Sequence, residues 1–248
     1  MSVFFRFYDL AIGEQEVIYT LLGKTFYVIE EKLSFDDMES KLPHFLSITD
    51  YSITFIELIF PVIFNNSLFQ TISVERWNSI KGIIKEIKHR RGNKPVMCIL
   101  KFKGNTNQTD FNIIFSITNS SVHSFEIAIE KIEHLVDIVP TQLSSLPPNT
   151  IEVFYLYDEP SFKWTPYQAK SIAQNYVSTY IYKNGLWEDN QLIDPLNSSI
   201  FLQVLLFERG SPSLVGRGIA NPMFGRTRGF ESHSPRLSWG FLQKCYKI

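Results

Sequence analysis

SVERWNSIKGIIKEIKHRRGNKPVMCILKF, residues 73–102, decides how the chain is read. Ser73 stands where a capping hydroxyl belongs. Behind it Val74, Trp77, Ile80, Ile83, Ile84 and Ile87 recur every three or four residues, which lays one apolar stripe along a helix. Arg90-Arg91-Gly92 supplies a cationic last turn and a glycine stop. The β-branched run that follows, Val96–Phe102, predicts a strand.

Outward from this stretch the same grammar repeats. Ser52–Phe60 alternates and predicts a strand before the helix. A polar turn over Gly104–Asp110 leads to a strand at Phe111–Ile117. Ser121 then caps a second helix carrying Val122, Phe125, Ile129, Ile132, Val136 and Val139, broken by Pro140, Pro147 and Pro148. Ile151–Tyr157 predicts another strand. The order over about 51–157 is β-α-β-β-α-β. It predicts an α+β fold: a ferredoxin-like sandwich with two helices on one face of an antiparallel sheet.

On either side the signals are shorter. Residues 1–50 predict a β-rich extension, with strands at Phe4–Asp9, Glu16–Leu22 and Thr25–Leu33 and a short helix over Ser34–Leu46 capped by Ser34. Residues 158–208 predict a helix and a strand packed on the central unit. Thr165-Pro166-Tyr167-Gln168 carries a cap, a proline at the first helical position and a capping box. Ala169, Ile172, Ala173, Tyr176, Val177 and Tyr180 supply the stripe, and Asn184-Gly185 the stop. Ile200–Phe207 predicts the last strand.

Near residue 208 the composition breaks. Residues 1–208 hold 17 Lys and Arg against 24 Asp and Glu, whereas residues 209–248 hold seven Lys and Arg against Glu231 alone. Six of the 12 glycines fall in that tail. Gly229-Phe230-Glu231-Ser232 can be encoded by a stretch that resembles the T arm of a tRNA gene, and Ser211–Gly216 by one that resembles a D arm. The tail therefore looks like a reading frame crossing a tRNA gene, a common insertion site of mobile elements. It is expected to be irregular and disordered, and the protein to be carried or truncated by such an element. His233, Arg236 and Tyr246 resemble the arrangement of tyrosine recombinases, but the spacing to Tyr246 leaves no room for that family's intervening helices.

Bulk properties bound the class. Of 248 residues, 44% are hydrophobic and 20% charged, with a net charge of −1, so the chain can bury a core and its overall charge attracts neither nucleic acid nor membrane. Arg6 and Asp9 interrupt the apolar start, so no signal peptide is expected. Two cysteines, Cys98 and Cys245, fit free thiols in a cytoplasmic protein.

Chemistry is sparse. No glycine-rich phosphate loop occurs, and no cofactor is implied. The histidines His44, His89, His123, His134 and His233 form no metal-binding spacing. Cys98 lies inside a predicted strand, where a small buried hydrophobe is the usual identity. Asp36-Asp37, Asp158-Glu159 and Glu188-Asp189 flank elements, where turn formation accounts for them. One basic cluster stands out: Lys88, Arg90, Arg91 and Lys94, then Lys101 and Lys103 on the next strand. It is the candidate nucleic-acid-binding set, against a cationic helix end complementing its dipole. The leading expectation is a non-enzymatic binding or protein-interaction protein. Nucleic-acid binding through Lys88–Lys103 is the alternative, and an enzyme built on Cys98 or Asp158-Glu159 is the third. No membrane partner is expected.

Overall fold

A computed structural model describes residues 1–42, 46, 51–106, 109–119, 121–173 and 176–190. The expected strand at 200–207 and the tail at 209–248 lie outside them.

The chain opens with β1 (Ser2–Tyr8), whose Val3, Phe5 and Phe7 are buried on one face. Asp9, at φ 56°, turns it into α1 (Ile12–Gly23). Here a strand was expected at Glu16–Leu22. The stripe that seats α1 is Glu14, Ile18 and Leu22, spaced four apart. A carboxylate holds one of the three core positions, so the apolar residues alone are too few to show a helical period. Then follow β2 (Tyr27–Lys32) and α2 (Phe35–Lys41), the latter capped as expected, with Ser34 Oγ accepting from Asp37 N at 3.1 Å.

The central strands and the two capped helices stand where the sequence places them: β3 (Thr54–Ile63), α4 (Val74–Arg91), β4 (Val96–Thr106), β5 (Thr109–Asn119), α5 (Val122–Lys131) and β6 (Thr150–Asp158). α3 (Leu68–Ile72) was not expected. The second helix stops at Lys131, followed by a 3₁₀ turn and α6 (Val139–Leu143), where Pro140 sits in the first turn rather than at a break. Ser73 and Ser121 cap their helices, and Gly92 ends α4 at φ 57°.

After β6 the expected helix is absent. Lys163–Ala173 is β7, Tyr176–Lys183 is β8 and Leu186–Asp189 is β9. Pro166 sits at a register shift: Phe154 pairs with Gln168, but Tyr155 pairs with Pro166. A bulge tolerates a residue without an N–H, so the proline that signalled a helix start marks a bent strand instead. Asn184-Gly185 is a two-residue hairpin loop, both residues at positive φ (51° and 84°).

The nine strands among the described residues form one mixed sheet in the order β2-β1-β3-β4-β5-β6-β7-β8-β9. β1–β2, β3–β4 and β5–β6 are parallel and the other neighbours antiparallel. The βαββαβ order of 51–157 is therefore present, but the ferredoxin-like arrangement is not confirmed. That arrangement splits each parallel pair with an inserted strand, whereas β3 and β4 are direct neighbours, as are β5 and β6. The crossovers differ in hand. β1 and β5 run the same way, the chain steps to opposite sides to reach β2 and β6, and α1 and α5 pack on the same face. One of the two is therefore the rare left-handed form.

The main core lies between that face and α1, α4 and α5. Trp77, Ile80, Ile84 and Ile87 from α4 and Phe125, Ala128 and Ile129 from α5 meet an aromatic chain across the strands. Phe60 stacks on Phe102 at 5.0 Å between centroids, and Phe115 reaches Phe102, Tyr155 and Trp164. Trp164 Nε1 donates to Ala128 O at 3.0 Å, tying β7 to α5. Buried Lys81 of α4 reaches Glu130 of α5 (2.7 Å) and Glu133 of the 3₁₀ turn after it (2.6 Å). Among the described residues no helix is long and apolar enough to cross a membrane.

Candidate interaction face

Side chains alternate across a strand, so residues between those facing the helices emerge on the sheet's second face. There Met38 and Leu42 of α2 cover Phe55, Met97, Ile99, Ile114 and Phe154, a second small core. This cover protects the end of the face where β3 begins. Toward the other end the face is open among the described residues.

Two charge networks cross it. Arg6 Nε donates to Glu31 at 2.7 Å and Arg6 Nη1 to Glu57 at 3.2 Å, while Lys41 also grips Glu31. Burial works to lower the Arg6 pKa, but Glu57 and Glu31 outweigh it and hold the value above its ordinary level. Glu31 is held below the usual carboxylate range, first by Lys41 and then by Arg6. In the second network Glu152 accepts from Lys101 at 3.3 Å and from Lys170 at 3.4 Å. Lys103 donates to Asn112 at 3.2 Å.

Beside these networks lies an apolar row. Ile29, Phe4 and Ile59 are cross-strand neighbours on β2, β1 and β3, and Lys101 continues the row on β4. Phe4 and Ile29 are each 36% exposed, and Tyr27, at the outer end of the same face, is 73% exposed. The Arg6 guanidinium lies 5.8 Å from the Phe4 ring centroid. The result is a surface of exposed apolar groups edged by paired charges.

The structure separates the six cations singled out by sequence. Lys88 is fully buried; its Nζ donates to Gly92 O (2.8 Å) and Lys94 O (2.9 Å), and burial lowers its pKa. Arg91 turns inward to Glu14, Thr54 and Asp9. Arg90 pairs with Glu86 at 2.8 Å, and Lys94 is exposed. These four gather at the end of α4, on the helix side. Lys101 and Lys103 point from β4 to the second face, where Lys101 shares Glu152 with Lys170 and Lys103 bonds Asn112.

Other chemical candidates are also placed. Cys98 is fully buried in β4, and burial pushes its thiol pKa far up. With Cys245 replaced by serine, iodoacetamide is expected to leave Cys98 unmodified in the native chain and to alkylate it in urea. Native-state labelling at the rate of a free thiol would contradict this burial. Asp158 Oδ2 accepts from Ser161 N at 3.2 Å, closing the β6–β7 turn. His89, His123 and His134 are exposed, and His44 and His233 lie outside the described residues. Among the described residues no three His, Cys, Asp or Glu side chains gather as metal ligands.

Sequence reasoning missed Phe4, Ile29, Ile59, Glu152 and Lys170. Each is ordinary in its own strand, and the face exists only through the cross-strand register. The alternation in β1 is the one local signal, since Arg6 falls between Phe5 and Phe7. Comparison of the chain with protein-family models, with curated proteins and with solved structures finds no match.

Proposed function

We propose that this chain is a non-enzymatic protein-interaction module that engages its partner with the open part of the sheet's second face. One observation carries the reading: Tyr27, Phe4 and Ile29 stand exposed on one face of a sheet whose other face is buried under helices. Exposed apolar groups in a contiguous patch mark contact surfaces, and here charged pairs frame them. Around Phe4 and Ile29 the charges balance, Arg6 and Lys41 against Glu31 and Glu57, which suits a protein better than a polyanion; the cationic excess of Lys101, Lys103 and Lys170 over Glu152 lies farther across the sheet. Nucleic-acid binding through the Lys88–Lys103 cluster is the alternative; of that set Arg90 and Lys94 are exposed on the helix side, and Lys101 and Lys103 lie on the second face.

A photo-crosslinking side chain at position 4 tests both. In source-cell extract it is expected to give an adduct of one discrete mass, and the same group at Glu86 on α4 is expected to give none. Excess unlabelled wild-type chain should suppress the adduct, and the Phe4→Glu/Ile29→Glu chain should not. An adduct destroyed by nuclease would transfer the reading to nucleic acid. Equal labelling from both positions, or none from position 4, would remove it.

A further inference from the structure

Among the described residues β2 is the outermost strand on its side of the sheet, and the edge it turns away from β1 carries a specific set of groups. Tyr27 N donates to Met1 O at 3.1 Å and Leu33 N to Phe7 O at 2.9 Å. Backbone groups of successive strand residues point to alternate edges, so the odd-numbered residues face β1. The N–H and C=O groups of Val28, Glu30 and Lys32 therefore face outward, as a template for another strand.

Behind this edge, on the helix side, a groove of about 270 Å³ runs between α1 and β2. It is lined by Ile12, Gln15, Glu16, Tyr19, Thr20 and Glu30. Ile12 and Tyr19 present exposed apolar surface. Glu16 and Glu30 have no ion-pair partner among the described residues. A strand laid along β2 would direct every second side chain over this groove and the intervening ones beside Tyr27 and Ile29.

We propose that the β2 edge and the α1–β2 groove bind an extended peptide segment with Lys or Arg at alternate positions and apolar residues between them. The backbone pairs with Val28 and Glu30, the cations meet Glu16 and Glu30, and the apolar residues extend the Tyr27–Ile29 row. A second copy of this chain is disfavoured as occupant. β2 against β2 with Glu30 opposite Glu30 sets two unpaired carboxylates across the strands, and like charges there repel. This site stands on the strand edge and the groove, separately from the open-face reading.

The test uses the full chain and a fluorescent acetyl-Lys-Val-Lys-Val-Lys-Val-Lys-amide probe, read by anisotropy. Saturable binding is expected. It should weaken at least about tenfold for a peptide with Glu in place of Lys, and for one N-methylated on alternate amides. The Glu16→Lys/Glu30→Lys chain should lose affinity similarly with an unchanged melting temperature, since both side chains are exposed. Absence of binding, or full affinity for the N-methylated peptide or the double variant, overturns the proposal. Loss in the Phe4→Glu chain but not in Glu16→Lys/Glu30→Lys also overturns it, and places the peptide on the open face.

Discussion

Replacing Glu14 with alanine is expected to cost about 3 kcal/mol of folding stability, although the residue lies in no hydrophobic stripe legible from sequence. Its carboxylate is 3% exposed and receives Arg91 Nη2 at 2.8 Å, Arg91 Nη1 at 3.1 Å and Ala11 N at 3.0 Å. Arg91 also donates to Thr54 Oγ1 (2.9 Å) and Asp9 O (3.0 Å), so one guanidinium ties the end of α4 to the start of α1, β1 and β3. Without Glu14 that half-buried cation, its side chain 17% exposed, has no carboxylate facing it at this distance. The neutral acceptors it keeps place the loss toward the lower end for a broken buried pair. Urea titration should show a lower midpoint at unchanged slope. Replacing both partners, Glu14→Leu with Arg91→Met, should recover most of the loss, because the uncompensated charge goes too. A single-variant loss below about 1 kcal/mol, or a double variant worse than either single, would show that the pair does not join these elements.

The same residues explain what the sequence hid. Read alone, Arg91 belongs to a basic cluster and Glu14 to the turn between two expected strands; together they tie α4 to α1. Lys88 is a similar case, since a lysine that caps the turn at Gly92–Lys94 cannot be told from a surface lysine without the fold. The helices of the central unit were legible because the cap, the stripe and the stop agree there. From Thr165 to Gly185 a cap, a stripe and a stop agree as well, and still no helix forms. Tyr176–Tyr182 is rich in tyrosine and β-branched residues that fit the edge of a sheet already nucleated by β6, and pairing prevailed. The interaction face was the least legible part, because Phe4, Ile29 and Ile59 are adjacent only across three strands. Pattern within an element reveals its own buried side, but not which neighbour leaves the other side open.

The central aromatic chain carries the second large effect. Phe115 sits on β5, fully buried, and is the ring through which the two halves of the main core touch. On one side it meets Phe64 at 4.9 Å and Phe102 at 6.1 Å; on the other it meets Tyr155 at 5.2 Å and Trp164 at 5.4 Å. Phe115→Ala is expected to cost about 3–5 kcal/mol, because four aromatic neighbours held by separate strands cannot collapse together into the gap. For a domain of this size that lowers the melting temperature by about 10 °C. Phe115→Leu keeps most of the volume and should cost roughly 1–2 kcal/mol. Phe4→Glu on the open face should cost less than about 1 kcal/mol, although it also exchanges an aromatic ring for a polar group. The three variants separate the two faces by calorimetry: a ring that closes the core, a substitute that nearly does, and a ring turned toward a partner. If Phe115→Ala melts like the wild type, the halves of the sheet are joined by something other than this ring. If Phe4→Glu falls as far as Phe115→Ala, Phe4 is part of the core, and the second face has no exposed apolar row to offer.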